Sequence, residues 1–273
     1  MSPEPRIAVH GLTVAYGRPP RGRVVIDGLD AEIPAGRFTV VIGPNACGKS
    51  TLLRTIARLH RPLAGTVELD GADVHKIPTR RLAQRLAVLP QSPLVPEGVS
   101  VTDLVARGRS PHQSWWRQWS PADEKAVARA MAQAGVADLA ARPVDTLSGG
   151  QRQRVWIAMI LAQDTDTLLL DEPTTYLDLA HQIEVLDLLR RLNTTDGRTI
   201  VAVLHDLNEA ARYADEVIAM RDGRVITQGS PDRVITAATV KSVFGLDCAV
   251  VACPVTGKPL VIPHTTTGEP SHA

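Results

Sequence analysis

Residues Gly43-Pro44-Asn45-Ala46-Cys47-Gly48-Lys49-Ser50-Thr51 constrain this chain more than any other stretch. They fit G-x-x-x-x-G-K-[ST], the phosphate-binding loop or Walker A pattern. The flanks fit as well. Phe38 to Ile42 is a short apolar run with four β-branched residues, suited to a buried parallel strand. From Ser50 to Leu59 the sequence predicts a helix, with Leu52, Leu53, Ile56 and Leu59 at helical spacing. Strand, glycine loop and helix together let backbone N–H groups and the positive helix end close on phosphates. In that geometry Lys49 reaches the β- and γ-phosphates and the Ser50 hydroxyl ligates Mg²⁺.

Before the loop, Ile7 to Tyr16 and Val24 to Ile33 alternate apolar and polar residues and predict an antiparallel pair, joined by a Gly17 to Gly22 turn. Tyr16 closes the first strand. Taken alone it reads as a packing tyrosine; the alternative is a platform that stacks on adenine. Gly65 to Gly71 and Arg85 to Pro90 predict two more strands, and Gln91 follows the second. Alone, Gln91 reads as a solvated loop residue, although a polar side chain just past a core strand is placed to enter a ligand crevice.

From Ser92 to about Gln163 strand signals stop. Val101 to Arg107, Pro121 to Ala134 and Gly149 to Ala162 predict helices, and the stretch reads as a helical insertion in an α/β domain. Ser120-Pro121-Ala122-Asp123 is a helix start. Trp115, Trp116 and Trp119 fall in a predicted loop, as a partner contact or as a satellite packing cluster. Leu147-Ser148-Gly149-Gly150-Gln151 opens the third helix, and its serine and glycines form a second anion-binding helix start. It lies about a hundred residues from the first, and nothing in one chain requires the two to meet.

Thr167 to Asp171 is a buried strand ending in Asp171-Glu172, the Walker B pattern. Asp171 can hold Mg²⁺ or its water, and Glu172 can polarise an attacking water as general base. A helix over Leu179 to Leu192 and a strand over Arg198 to Leu204 follow, the strand ending in His205. A lone histidine is most often structural, but one at this end of a parallel strand faces the crevice. Beyond it the sequence predicts a hairpin (Asp215 to Met220, Gly223 to Thr227), two short helices, a second hairpin over Ala249 to Ile262, and a frayed tail from Pro263.

Composition narrows the setting. The 273 residues carry a net charge of +1, so nothing points to nucleic acid or an anionic surface. No apolar run approaches the ~18 residues that span a bilayer, and the first residues lack a signal-peptide core. Three cysteines make no disulfide framework, so a reducing cytosol is the default; Cys248 and Cys253, close in sequence, read as two ordinary thiols, with pairing as the alternative. Cys47, inside an N–H-rich loop, is expected to have a lowered thiol pKa and to react with thiol reagents unless nucleotide protects it. Ala46 costs on the order of 1 kcal/mol if its position needs positive φ.

The ordered set of Tyr16, Walker A, Gln91, Leu147 to Gln151, Asp171-Glu172, Leu177-Asp178 and His205 resembles the ATP-binding cassette (ABC) ATPases over about residues 6 to 262. The run Ala158 to Gln163 leading into Asp171-Glu172-Pro173-Thr174-Thr175-Tyr176-Leu177-Asp178-Leu179-Ala180-His181-Gln182 resembles the ATPase subunits of ferric-siderophore importers. Sugar and amino-acid importers more often read Ser-Ala-Leu-Asp after Glu-Pro-Thr. Ala106 to Gln113 is similar to the ferric-enterobactin type, with heme and cobalamin importers as close relatives.

The resemblance implies an α/β P-loop NTPase fold with a RecA-like core, an antiparallel β subdomain and a helical insertion. One nucleotide-binding domain would span 1–262, with core 1–91 and 164–240, helical subdomain 92–163, hairpin region 241–262 and a flexible tail 263–273. It implies an ATPase that binds ATP and Mg²⁺ and works as a head-to-tail dimer, in which Ser148, Gly149, Gly150 and Gln151 of one subunit meet the ATP held by the other's Walker A. Asp178 would contact the opposite subunit. Gln91 would link the γ-phosphate and Mg²⁺ to the insertion, and His205 would support the γ-phosphate and the attacking water. Implied partners are membrane permease subunits and, indirectly, an extracytoplasmic binding protein; the chain would sit peripherally on the cytoplasmic face of the membrane. A ribosome- or DNA-directed ABC protein is disfavoured by the single cassette, the absent heptads and the lack of basic excess. An inactive adaptor is disfavoured by Glu172 and His205.

Overall fold

The computed structural model describes residues 5–17, 22–91, 93, 97–113 and 119–264. Strands β1 (Pro5–Tyr16) and β2 (Arg23–Pro34) form the expected antiparallel pair and are followed by β3 (Phe38–Ile42) and helix α1 (Lys49–Ile56). Next come β4 (Ala64–Leu69), the two-residue β5 (Ala72–Asp73), α2 (Thr79–Ala83) and β6 (Leu86–Leu89). Three helices follow, α3 (Val101–Ala106), α4 (Pro121–Gln133) and α5 (Gly149–Ala162). The chain then runs β7 (Thr167–Asp171), α6 (Leu179–Asp196), β8 (Thr199–Val203), α7 (Leu207–Tyr213), β9 (Glu216–Arg221) and β10 (Arg224–Gly229). It closes with α8 (Pro231–Val234), α9 (Ala237–Phe244) and a hairpin of β11 (Cys248–Ala252) and β12 (Pro259–Pro263).

Two sheets organise these elements. One is antiparallel, in the order β2-β1-β4-β5; the other has the order β10-β9-β3-β8-β7-β6. In the second sheet β9, β3, β8, β7 and β6 are mutually parallel, and only the β9–β10 hairpin is antiparallel. Every residue of β3, β7 and β8 is buried, which is why these strands read as continuous apolar runs. Successive side chains serve different cores. Val40, Leu168, Leu170 and Ala202 pack with α3, α4 and α5, whereas Val41, Leu169 and Val201 pack with α1 and the antiparallel sheet. Parallel order also brings the C-terminal ends of β3, β6, β7 and β8 to one edge, where doubly wound sheets place their ligands.

Several boundaries differ from expectation. Helix α1 stops at Ile56 instead of reaching Leu59, because Arg58 turns left-handed at φ 58°. Its guanidinium donates to Ile77 O at 2.6 Å and Thr79 Oγ1 at 2.7 Å. Helix α6 outruns its apolar stripe to Asp196, where Gly197 ends it at φ 65°. Asn193 fixes that last turn by donating to Gly36 O and Arg198 O. Helix α7 was not foreseen; the Asp206 carboxylate starts it by accepting from the N–H groups of Asn208 and Glu209. A boundary at residue 240 cuts through α9. Pro263, expected in the tail, belongs to β12, and the N–H of His264 donates to Asp247 O at 2.9 Å. Trp115, Trp116 and residues 265–273 lie outside the described residues; Trp119 is half exposed.

Cys248 is free and buried, and Cys253 is free. Among the described residues no helix is long and apolar enough to cross a membrane.

Candidate nucleotide-binding site

The loop after β3 bends back on itself and begins α1 at Lys49. Gly43 has no room for a side chain, since a Cβ would lie 2.3 Å from Met220 O and 2.8 Å from Cys47 Sγ. Ala46 does sit at positive φ, 62°, so alanine carries the strain expected of that position, on the order of 1 kcal/mol. The Lys49 side chain is buried along the loop and its ammonium donates to Gly43 O at 2.8 Å and Pro44 O at 2.9 Å. The cation is thereby held inside the loop where phosphate oxygens would arrive.

A cleft of about 550 Å³ opens above the loop, lined by Tyr16, Asn45, Ala46, Gly48, Lys49, Ser50, Thr51 and Glu172. Gly43, Pro44 and Cys47 shape the loop without lining the cleft. Tyr16 reaches the cleft from the end of β1, and its hydroxyl lies 3.3 Å from Thr51 Oγ1. Arg23, Val24, Val25, Asp222 and Gly223 complete the wall, and none of these was anticipated. The Asp-Gly pair between two strand signals was the available clue: that turn tucks under the loop, and the N–H of Gly223 donates to Cys47 O at 3.0 Å.

The Cys47 thiol departs from expectation. It is 4% exposed, and burial pushes its pKa up by more than the Lys49 charge and the local N–H groups lower it. A buried, protonated thiol is a poor nucleophile, so the expected ready attack by thiol reagents is withdrawn.

The acids stand at the end of β7. Ser50 Oγ donates to Asp171 Oδ1 at 2.7 Å. Asp171 Oδ2 is buried with no hydrogen-bond partner, and burial raises the carboxyl pKa despite the Ser50 contact. A buried carboxylate oxygen without a donor, beside a serine hydroxyl, suits a hard cation such as Mg²⁺. Among the described residues no group of three His, Cys, Asp or Glu side chains is placed to hold a metal ion by itself.

Glu172 adopts φ 53°, a costly backbone for a non-glycine residue. Three side chains bracket its carboxylate. His205 Nε2 lies 2.7 Å from Oε1, while Gln91 Nε2 donates to Oε2 at 2.5 Å and Thr175 Oγ1 to the same oxygen at 3.0 Å. Gln91 and His205 come from the ends of β6 and β8, so the sheet edge assembles the group. Thr175 was missed, because a threonine three residues past an acid carries no distinctive pattern.

Nearby, Glu209 on α7 is half-buried, and burial together with the Asp206 charge pushes its carboxyl up to about 7. Because the folded value lies above the ordinary one, the neutral form's contribution to stability is complete below about 4.5 and is lost as pH rises through about 7. Glu209→Gln should therefore raise the melting temperature at pH 8, with the gain shrinking steadily toward pH 4.5. Thermal unfolding of both proteins across that range measures it.

Residues Ser148 to Gln151 and Asp178 do not line the cleft. Ser148 starts α5 with a reciprocal pair: its Oγ accepts from the N–H of Gln151, whose Oε1 accepts from the N–H of Ser148. The two glycines differ. A Cβ at Gly149 would meet nothing closer than 3.9 Å, whereas one at Gly150 would lie 2.3 Å from the His181 ring. Within the chain a side chain at Gly150 would have to displace the His181 ring, whereas Gly149 has no such neighbour. Asp178 caps α6 and accepts from His181 N–H at 3.0 Å and Nδ1 at 2.7 Å. The first of these contacts contributes most to holding its carboxyl below the usual range.

Residues 26–175 match the ABC transporter family. The chain is 55% identical over 252 residues to the achromobactin transport ATP-binding protein of Dickeya dadantii, covering 92% of each. It is 49% identical over 258 residues to the ferric enterobactin transport ATP-binding protein of Escherichia coli, covering 94% of each. Its fold matches a dimeric bacterial ABC transporter cassette with a TM-score of 0.73 and 27% identity, over 82% of this chain and 98% of that one. With its phosphate loop, paired acids, Gln91, His205 and α5 start all in place, the chain belongs to the ATP-binding proteins of the ABC transporter family.

Proposed function

We propose that the chain is the ATP-hydrolysing subunit of a ferric-siderophore importer and that two copies meet head to tail, each completing the other's ATP site. The observation that carries this is the split between the cleft and the α5 start. The cleft holds Lys49, Ser50 and Glu172 but no residue of Leu147 to Gln151. That α5 start, with its Ser148 cap and an uncrowded Gly149, has the make-up of an anion site. The Ser148 hydroxyl accepts one internal bond, which leaves its proton free to donate. A γ-phosphate between the two halves would receive Lys49 from one chain and Ser148 with the α5 N–H groups from the other.

Mg²⁺ held by Ser50 and Asp171, with Gln91 as a further proposed ligand, would neutralise charge on the phosphate oxygens. Glu172 accepts a proton from the attacking water. His205 and Thr175 fix the two carboxylate oxygens, so the base has one orientation. Water adds to the γ-phosphorus as the bond to the ADP oxygen breaks, giving ADP and phosphate. Loss of the shared γ-phosphate removes what joins the two chains, and opening follows. Gln91 contacts Glu172 and precedes the helical segment in sequence, so through it the state of the nucleotide would pass to a permease docked on that segment. Permease subunits in the membrane and an extracytoplasmic binding protein complete the system, with this chain peripheral on the cytoplasmic face.

The relatives named above are described as achromobactin and ferric enterobactin transport proteins, and a Bacillus subtilis relative 54% identical over 258 residues as a probable siderophore transport system ATP-binding protein, which supports the cargo class. Uptake of radiolabelled ferric siderophore by a strain lacking this gene tests it. Uptake should be lost, and should return with the wild-type chain but not with Glu172→Gln. Intact siderophore uptake alongside a loss of heme or cobalamin uptake would overturn the cargo assignment.

A further inference from the structure

Tyr16 has two ring faces, and one is already occupied. The His60 ring stacks on it with centroids 4.6 Å apart and planes 33° from parallel, within the range of an attractive aromatic pair. His60 sits in the turn after α1, where its N–H donates to Arg54 O at 3.2 Å. Its Nε2 donates to Ala15 O at 3.3 Å, the residue before Tyr16. Tyr16 lines the cleft and His60 does not, so the histidine backs the tyrosine from outside. The Tyr16 hydroxyl is held at the other end by Thr51.

We infer that His60 is a positioning residue for nucleotide binding, a fixed backstop that holds the Tyr16 ring ready to stack on the base. The inference rests on the reading of Tyr16 as the base platform. Tyr16 ends a strand and is 40% exposed. An unsupported ring there would lose rotamer freedom when a base settled on it. His60 and Thr51 remove that freedom beforehand, and preorganisation of this kind strengthens binding without adding a contact to the ligand. It also ties the end of β1 to α1, so that the base platform and the phosphate loop keep a fixed separation.

The test compares Tyr16→Ala, His60→Ala and His60→Phe, reading KM and kcat for ATP together with inhibition by inorganic tripolyphosphate, which has the phosphates and no base. His60→Ala should raise KM for ATP about threefold to tenfold, with kcat within about twofold and tripolyphosphate inhibition unchanged. His60→Phe, which can still stack, should return KM close to the wild-type value. Tyr16→Ala should raise KM for ATP at least as much as His60→Ala. If Tyr16→Ala leaves KM unchanged, the platform reading fails and the inference falls with it. If Tyr16→Ala raises KM but His60→Ala does not, the platform stands and the role of His60 is refuted. Weakening of ATP and tripolyphosphate alike by His60→Ala would show that it acts through the fold of α1, which also overturns the inference.

Discussion

Glu172→Gln is expected to slow ATP turnover by about 10²- to 10⁴-fold, the range for loss of a positioned general base, while nucleotide still binds. Glutamine keeps the shape of the side chain and can still contact His205, Gln91 and Thr175. What it lacks is the ability to take a proton from water. The three contacts to the Glu172 carboxylate hold it in one orientation, which is what the proposed base requires. Phosphate release measured beside equilibrium binding of a fluorescent ATP analogue separates the two effects. A variant that hydrolyses at the wild-type rate would remove Glu172 from the mechanism.

Ser148→Asp should lower turnover by about 10²- to 10³-fold, the cost typical of removing one donor to developing charge. The choice of aspartate isolates the function. Aspartate is as good a helix start as serine, so α5 should keep its capping bond to the N–H of Gln151. It replaces the free hydroxyl proton with a negative charge facing the incoming phosphates. ATP binding to the single chain, which uses the cleft and not α5, should change by less than about threefold. Circular dichroism checks the fold, and paired binding and turnover assays check the rest. A large loss of single-chain ATP affinity would mean that Ser148 belongs to the same cleft as Lys49.

Much of this was legible in the sequence, for local reasons. Buried parallel strands show as apolar runs, so β3, β7 and β8 were visible together with the polar residues that end them. The helix starts at Ser120 and Ser148 carry capping chemistry in adjacent residues. The unread parts depend on contacts between distant segments. Nothing near Gly150 announces that His181 fills the space beside it, and nothing near Cys47 announces that the β9–β10 turn buries it. Thr175 becomes visible only when the sheet edge brings it to the Glu172 carboxylate, and Arg23 only when the β1–β2 pair brings it to the cleft. Polar residues hid two helical segments, the end of α6 at Asn193 to Asp196 and all of α7, because tertiary hydrogen bonds and a cap stabilise them where periodicity is weak.

On the proposed function each ATP site is shared between two chains. The most direct measurement is the solution mass of Glu172→Gln by light scattering, with and without Mg²⁺ and ATP. The expected result is twice the chain mass with ATP, one ATP per chain, and a return to the single-chain mass when Ser148→Asp is added. A Glu172→Gln chain that saturates with ATP and keeps the mass of one chain, both free and on its permease, would contradict it.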